Sequence, residues 1–179
     1  MSEVKGTDTV YEGRFLRLAK RGTWEYVSRK GATGVVAIVA LHDDGRLVLV
    51  EQLRPPVDRR VVELPAGLAG DTDNTESLLV AAQRELEEET GYAASNWQRL
   101  FNGYSSAGLT DEALTFFLAT GLTRVGPGGG DSSEEILLHE VPVKSLLAWV
   151  AERTREGIGV DAKLFAGVYA ALEMMNSEK

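Results

Sequence analysis

Hydrophobic and polar positions alternate along the first third of the chain in a pattern that predicts β-strands. The segments TVYEGRFLRLAKR and TWEYVSRKG alternate roughly in polarity on either side of Gly22, which predicts an N-terminal β-hairpin. The apolar runs VVAIVAL and RLVLV then flank the turn HDDGR, and Asp-Gly between such runs is a strong hairpin signal. Because VVAIVAL has no polar interruption, we expect a central strand that is buried on both faces.

The middle of the chain predicts a short strand followed by a long helix. The segment VVELPAGLAGD predicts a strand that ends at Pro65 and the glycines behind it. The helix is predicted from about Thr75 to Thr90, with Asn74 or Thr75 as its cap and Gly91 beyond its end.

The last part of the chain combines strands, a glycine-rich segment and two helices. Residues 97–122 predict a strand, a loop around 105–112 and a second strand, and TRVGPGGGDSSEE predicts a mobile surface loop. The segment ILLHEVPV predicts a strand, VKSLLAWVAERTREG an amphipathic helix, and the chain from about Asp161 to Met175 a last helix. Since strands and helices mix without strict alternation, we predict an α/β (α+β) fold, a mixed β-sheet with helices packed on it.

Composition narrows the possible partners. The chain has 179 residues, which suits one domain, and its formal net charge of -8 argues against nucleic acid or an anionic membrane surface as the main partner. It contains no cysteine, which excludes disulfides and thiolate metal sites. It has neither a run of about 18 apolar residues nor an apolar signal region at its start. We therefore expect a cytoplasmic protein with no membrane partner and no nucleic-acid partner.

The segment AAQRELEEETGY, residues 81–92, places four glutamates near the end of the predicted helix. There they repel one another and face the negative pole of the helix dipole. At about 100° per residue, Glu85, Glu88 and Glu89 share one face, whereas Glu87 falls on the opposite side and is expected to face solvent. The apolar stripe that we expect to pack in the core consists of Leu79, Ala82 and Leu86.

Three carboxylates on one helix face suit a hard divalent cation. Mg²⁺ and Mn²⁺ prefer oxygen ligands, and a bound cation would reverse the repulsion between the glutamates. Two alternatives remain open, an acidic helix face that contacts only solvent and an acidic helix that binds Ca²⁺ for structure alone.

The glutamates belong to a longer pattern of fixed spacing that begins with a glycine, five residues, a glutamate and seven further residues. The pattern consists of Gly70, Glu76, Arg84, Glu85, Leu86, Glu88, Glu89, Gly91 and Tyr92. It resembles the signature box of the Nudix hydrolases, and its one departure is Tyr92, where an aliphatic residue is commoner. The resemblance implies a mixed β-sheet between helices and the hydrolysis of a nucleoside diphosphate that is linked to another moiety.

The resemblance also implies roles for the box residues. Glu85, Glu88 and Glu89 would hold Mg²⁺, for which Mn²⁺ can substitute, and Glu89 would count among the catalytic residues. The metal would neutralise the pyrophosphate and activate the attacking water. Arg84 would orient the carboxylates by ion pairing rather than bind the substrate. The residues with a structural role in the box would be Gly70, Glu76, Arg84 and Gly91.

Segments before the box resemble the ADP-ribose pyrophosphatase branch of the family. The segments are VEQLRPP and VVELPAG. On this resemblance Arg54 would contact phosphate, Glu63 would lie near the base or the ribose, and the carbonyl of Ala66 would be a further metal ligand. Alternatively, Arg54 is a surface arginine, and Glu63 pairs with Arg59 or Arg60.

Two segments after the box also resemble this branch. SSAGLTDEAL resembles its substrate loop and contributes Glu112, although Ala107 stands where the branch has a proline, which leaves GDP-mannose and other nucleotide sugars open as substrates. The segment GGGDSSEEI resembles a mobile loop that carries the general base, for which Glu134 is our first choice and Glu135 the second. A weaker alternative base is Glu112, and the alternative for the loop is a disordered acidic linker.

The N-terminal residues 1–33 are expected to be a β-hairpin extension, and residues 34–179 the Nudix hydrolase domain. Trp24 or Tyr26 could stack on a nucleobase, but each could instead pack in the core or in a dimer. The resemblance implies a homodimer in which N-terminal strands reach the partner's site, which a hairpin unable to bury its own faces would suit.

The leading hypothesis is therefore a Mg²⁺-dependent pyrophosphatase that cleaves ADP-ribose to AMP and ribose 5-phosphate. The alternative enzyme is a broader or different nucleotide-sugar hydrolase, such as a GDP-mannose pyrophosphatase. A rival of another class is a binding module that senses such ligands without turnover. Such modules usually lose box glutamates, all of which this chain keeps.

Overall fold

The computed structural model describes residues 6–70, 75–130 and 135–177. Asn74, one of the two expected helix caps, and Glu134, the first choice for the general base, lie outside the described residues.

The N-terminal part is a three-stranded antiparallel sheet. Its strands are β1 (Asp8–Glu12), β2 (Leu16–Arg21) and β3 (Trp24–Arg29). The predicted turn at Gly22 is confirmed, but the first predicted strand is wrong as one element, because it folds into β1 and β2. The N–H of Gly13 donates to the carbonyl of Leu16 at 2.8 Å, which closes a tight turn between them.

The second sheet contains eight strands of the described chain and is mixed, as predicted. Its strands are β4 (Gly34–Leu41), β5 (Arg46–Arg54), β6 (Arg59–Glu63), β7 (Ala66–Ala69), β8 (Tyr92–Tyr104), β9 (Ala113–Arg124), β10 (Leu137–Pro142) and β11 (Gly159–Val160). The order is β11-β6-β5-β4-β9-β8, with β10 paired to β5 and β7 paired to β4. The pairs β4–β9 and β11–β6 are parallel, and the others are antiparallel.

Strand β4 lies at the centre of the sheet and is buried on both faces, which confirms the prediction. Its even-numbered residues from Val36 to Ala40 pack against one core, and its odd-numbered residues from Ala37 to Leu41 pack against a second. The turn between β4 and β5 is the predicted one, with Gly45 at a φ of 82°.

Three helices of the described chain cover the two faces of this sheet. They are α1 (Leu78–Thr90), α2 (Leu146–Arg155) and α3 (Lys163–Ser177). Helix α1 packs on the even-numbered face of β4, whereas α2 and α3 pack on the other face. The predicted sheet between helices is therefore confirmed. Among the described residues, no helix is both long and apolar enough to cross a membrane.

The start of α1 differs from the prediction. Its N-cap is Ser77, whose hydroxyl accepts a hydrogen bond from the N–H of Val80 at 3.3 Å, so the helix begins three residues later than expected. The expected packing of Leu79 is wrong, since this side chain is 38% exposed. In the first turn Leu78 packs on the sheet instead, so close to Gly34 that a Cβ there would lie 2.9 Å from its Cδ2. Leu79 points about 100° away from that contact.

Candidate active site

A large cleft of about 1400 Å³ opens where α1, β5, β6 and β7 meet. Most of the sequence-predicted site residues line it. They are Arg54, Glu63, Ala66, Arg84, Glu85, Glu88, Glu89 and Glu112. The cleft also contains residues without a predicted role, which come from the N-terminal sheet, from β6 and from the start of α3. Examples are Arg29, Arg59 and Lys163.

The three glutamates predicted to share a helix face differ in exposure. Glu89 is 5% exposed, and its Oε2 accepts a hydrogen bond from the N–H of Ala66 at 3.1 Å. Glu85 lies against the backbone of β7, where a Cβ on Gly67 would come within 2.0 Å of its carboxyl carbon. The side chain of Glu88 is 53% exposed. Glu87 is exposed and does not line the cleft, which confirms its separation from the other three.

Arg84 connects most of these carboxylates. Its Nη1 donates to Glu85 Oε1 at 2.8 Å and to Glu88 Oε2 at 3.0 Å, and its Nε donates to Glu76 Oε1 at 3.0 Å. The hydrogen bond to Glu76 is the largest cause that raises the pKa of Arg84 above its ordinary value. Glu76 in turn accepts a hydrogen bond from the N–H of Gly70 at 3.3 Å. The arginine is therefore fixed beside the carboxylates and remains charged.

The carboxylates of α1 form one wall of the cleft, and their oxygen atoms suit a hard divalent cation. Glu85, Glu88 and Glu89 offer carboxylate oxygens beside the backbone of Ala66, and Gly67 leaves room for one of those carboxylates. Within the part of the chain that is described, no three acidic or histidine side chains already converge closely enough to enclose a metal. A physical reason is that the guanidinium of Arg84 lies between two of the carboxylates and supplies positive charge there.

The glycine-rich segment caps the C-terminal end of α1. The N–H of Gly129 donates to the carbonyl of Glu89 at 2.9 Å, and the N–H of Gly130 donates to the carbonyl of Glu88 at 3.0 Å. These bonds satisfy carbonyls that a helix end otherwise leaves unpaired, and they counter the negative pole of the dipole. The backbone of this half of the segment is therefore bound to the helix, and its mobility stays a prediction.

This contact is too close for side chains. Gly91 has a φ of 72°, and a Cβ on it would lie 2.3 Å from the carbonyl oxygen of Gly126. A Cβ on Gly128 would lie 2.4 Å from the carbonyl carbon of Thr90. Glycine at these two positions allows the two backbones to pack together.

Arg54 and Glu63 form a bidentate ion pair on the wall of the cleft. Arg54 Nε donates to Glu63 Oε1 at 2.8 Å, and Arg54 Nη2 donates to Glu63 Oε2 at 2.6 Å. The proposed pairing of Glu63 with Arg59 or Arg60 is therefore wrong. Arg59 stands opposite Arg54 in the ladder between β5 and β6, so two like charges lie side by side there.

The remaining predicted residues lie at the rim of the cleft or away from it. Glu112 lines the cleft and pairs with Arg29 of β3 at 2.9 Å. Trp24 is 65% exposed and borders a separate cavity of about 350 Å³ instead. Glu135 does not line the cleft, and its carboxylate lies 3.5 Å from Arg60 Nη1. No local sequence signal pointed to the contribution of Arg29, because it comes from the N-terminal sheet.

The fold and the cleft define a class of protein. A model of the Nudix domain matches residues 32–157, so the chain belongs to the Nudix family. Nudix hydrolases generally use divalent metals, which agrees with the carboxylate wall described above.

Particular relatives carry different names. The chain is 40% identical over 141 residues to the ADP-ribose pyrophosphatase of Mycobacterium tuberculosis (strain ATCC 25618 / H37Rv). The match covers 76% of this chain but only 64% of that protein. It is 31% identical over 157 residues to the methanol dehydrogenase activator of Bacillus methanolicus, covering 82% of each. A solved structure described as an ADP compounds hydrolase superposes with a TM-score of 0.77, over 98% of this chain and 94% of that one. Because the sequences are only 19% identical, this superposition is evidence for a shared fold and for nothing further.

Proposed function

We propose that this protein is a Mg²⁺-dependent pyrophosphohydrolase that adds water across the diphosphate of ADP-ribose and releases AMP and ribose 5-phosphate. The observation that carries the proposal is the cleft in which the carboxylate face of α1 and Arg54 lie together. The similarity to the ADP-ribose pyrophosphatase of Mycobacterium tuberculosis supports the choice of substrate.

The metal would be held by Glu85, Glu88 and Glu89, with the carbonyl of Ala66 as a further ligand. Bound there, Mg²⁺ or Mn²⁺ would supply Lewis acidity towards the phosphoryl oxygens and the attacking water. The contacts of Arg84 to two of these carboxylates support a role in orienting them.

Arg54 would bind the diphosphate. Its guanidinium presents a planar set of donors, and Glu63 holds it in one orientation from the buried side of the cleft. Glu112 would contact the far part of the substrate from the rim, where its ion pair with Arg29 fixes it. The attacking water would lose its proton to Glu134, or to Glu135 as the second choice.

The test is a substrate panel. Purified protein is incubated with Mg²⁺ and ADP-ribose, GDP-mannose and other nucleotide sugars, and the products are identified by mass spectrometry. We expect AMP and ribose 5-phosphate from ADP-ribose at the highest kcat/KM. Faster cleavage of GDP-mannose with no turnover of ADP-ribose would transfer the assignment to that alternative. Binding of ADP-ribose without turnover of any member of the panel would support the binding module.

A variant of Glu89 distinguishes a metal that takes part in catalysis from a metal that only stabilises the structure. Glu89→Gln keeps the size of the side chain and an oxygen that can accept the N–H of Ala66. We expect kcat to fall by about two or more orders of magnitude, with little change in the unfolding temperature. A fully active Glu89→Gln enzyme would contradict the assignment of Glu89 to the metal.

We further propose that the protein is a homodimer built through its N-terminal residues 1–33, with residues 34–179 as the hydrolase domain. The described part of this extension exposes several large apolar side chains in one chain, which supports burial by a second copy. They are Val10, Tyr11, Phe15, Leu16 and Trp24. In this arrangement Trp24 would stack on the nucleobase in the partner's site.

Light scattering tests the assembly. We expect a mass of about twice the chain mass of 19.4 kDa for the wild type, and the chain mass for Val10→Lys/Phe15→Glu. A monomeric wild type at micromolar concentration would contradict the proposal. The cytoplasmic location expected from the composition stays a prediction, which fractionation of cells that express the protein can test.

A further inference from the structure

The cleft contains a glutamine side chain that is buried and has no hydrogen-bond partner. Gln52 of β5 lines the cleft and is 6% exposed. Within the described chain, no other group forms a hydrogen bond with its amide. Neither its nitrogen nor its oxygen is completely enclosed by the described residues, so both open into the cleft. Because a buried amide without a partner lowers stability, this one points to a bond with a ligand.

The pattern of β5 explains how a glutamine comes to lie at this point. Residues two apart share one face of a strand, so the even-numbered residues from Val48 to Arg54 point the same way. Val48 packs in the core beneath α1, and Val50 is fully buried. Further along, the same face lines the cleft, first with Gln52 and then with Arg54. Gln52 therefore lies where the strand passes from the core into the cleft.

The residues around Gln52 leave its amide free for a ligand. In the ladder between β5 and β6, Gln52 stands opposite Val61, whose side chain is apolar. Arg54 belongs to the next pair on one side of this pair, and Glu63 to the next pair on the other side. The ion pair between Arg54 and Glu63 therefore spans the pair of Gln52 and Val61, and it occupies both oxygens of Glu63. The amide is next to this ion pair but takes no part in it.

The chemistry of the amide indicates what kind of group it binds. A glutamine amide both donates and accepts hydrogen bonds, whereas an ionised phosphate oxygen only accepts them. Arg54 and Arg59 line the same cleft and already offer donors to an anion. A hydroxyl group donates and accepts, as the amide does. In a nucleotide sugar, hydroxyl groups lie on the sugars at both ends of the diphosphate.

We propose that Gln52 binds a sugar hydroxyl of the substrate, beside the diphosphate that Arg54 binds. The inference rests on the proposed function and adds to it the recognition of the sugar. A site whose buried amide requires a hydroxyl binds a ligand without that hydroxyl less well, because the amide then stays unpaired. Gln52 is therefore a residue that determines specificity for the sugar.

The variant that tests this is Gln52→Leu, and binding is measured by isothermal titration calorimetry with Mg²⁺ present. The ligands are the methylene analogues of ADP-ribose and of ADP, and methylenediphosphonate, which has no sugar. A CH₂ group replaces the bridging oxygen in all three, so none can be hydrolysed between the phosphorus atoms. We expect the Kd of the ADP-ribose analogue to rise about tenfold, whereas the Kd of methylenediphosphonate should not change.

The ADP analogue distinguishes the two sugars that carry hydroxyls. An equal rise in its Kd assigns the hydroxyl to the ribose of the adenosine, and an unchanged Kd assigns it to the terminal ribose. Either result supports the proposal, because both sugars adjoin the diphosphate.

The protein without ligand supplies a second readout. Leucine is close to glutamine in size and leaves no amide unpaired, so unliganded Gln52→Leu should unfold at a temperature no lower than that of the wild type. The matched control is Gln83→Leu, because Gln83 is exposed on α1 and does not line the cleft. The control should leave the Kd values of all three ligands unchanged.

Three outcomes would overturn the proposal. An unchanged Kd for the ADP-ribose analogue would show that the amide binds no part of it, and an equal rise for methylenediphosphonate would assign the amide to the diphosphate. A lower unfolding temperature of the unliganded variant would show that Gln52 supports the fold instead.

The substrate panel keeps this proposal apart from the proposed function. If Gln52→Leu gives the expected change in binding but the wild type does not hydrolyse ADP-ribose, the proposed function alone is wrong. If the wild type hydrolyses ADP-ribose and the variant binds its analogue equally well, the role of Gln52 alone is wrong. A wild type that binds none of the three ligands would contradict both.

Discussion

Individual residues determine whether the carboxylates of Glu85, Glu88 and Glu89 can lie at one common site. The spacing of the box was enough to separate Glu87 from Glu85, Glu88 and Glu89, because helical geometry follows directly from the sequence. The contact between Glu85 and Gly67 was not predictable in this way, since it depends on how closely β7 approaches α1. The sequence therefore predicts which carboxylates share a face, but not which backbone positions must lack a side chain to admit them.

Gly67→Ala tests this contact. The new Cβ would lie 2.0 Å from the carboxyl carbon of Glu85, so the carboxylate must move. We expect activity to fall by about a hundredfold, with a destabilisation of about 1 kcal/mol, at the low end for an added methyl group because the displaced atoms end a flexible side chain. Gly6→Ala is the control, since a Cβ there meets nothing within 4 Å. A wild-type kcat in Gly67→Ala would show that catalysis does not depend on the observed position of Glu85.

Between elements, contacts that depend on strand register could not be predicted. The sequence predicts that α1 ends at Gly91, and this is confirmed, because a glycine past the end of a helix has a local cause. The alternative in which Glu63 pairs with Arg59 or Arg60 was wrong, since the choice of Arg54 depends on the β5–β6 register. The docking of the glycine-rich segment on α1 was missed for the same kind of reason, because composition alone cannot distinguish a mobile segment from one whose backbone packs closely.

A pair of glycine variants measures that docking. Gly91 and Gly157 both have positive φ, at 72° and 85°, but a Cβ on Gly157 meets nothing within 4 Å. Gly157→Ala should therefore cost about 1 kcal/mol in the free energy of unfolding, for the backbone conformation alone. Gly91→Ala should cost about 3 kcal/mol or more, because the Cβ also collides with the carbonyl of Gly126. Equal costs by urea denaturation would contradict the close packing.

Tyr92, the one departure from the family pattern, joins two strands. Its hydroxyl donates to Glu140 of β10, its ring packs edge-on against His42, and Glu140 is the largest cause that raises the pKa of Tyr92. A raised pKa in the folded protein means that this stabilisation is fully present below the unfolded pKa of about 10 and is lost as the pH rises through the folded pKa.

Tyr92→Phe removes only the hydroxyl. We expect a loss of about 1 kcal/mol at pH 7, measured by urea denaturation. The difference between wild type and variant should shrink above a pH of about 10, so the wild type should lose stability more steeply than the variant in that range. A constant difference from pH 7 to pH 11 would contradict the hydrogen bond to Glu140.

For the whole molecule, the net charge of -8 means that the carboxylates lining the cleft lower the stability of the folded protein when no cation is bound. Mg²⁺ that binds only the folded protein should therefore raise its unfolding temperature by mass action. Glu85→Gln/Glu88→Gln should lose this rise and, in the presence of a chelator, should be no more stable than the wild type, because both carboxylates are paired with Arg84. Differential scanning fluorimetry across Mg²⁺ concentrations measures both effects. An equal rise in the double variant would place the metal elsewhere.

The backbone contact between the glycine-rich segment and α1 has a consequence for protein engineering. Surface loops rich in glycine are usually the first choice for inserting a tag, a linker or new chain termini. Here residues 126–130 are a poor choice, because the amides of Gly129 and Gly130 complete a helix and Gly128 packs against the backbone of Thr90. The turn at Gly157, where a Cβ would meet nothing within 4 Å, is a better place to open or extend the chain.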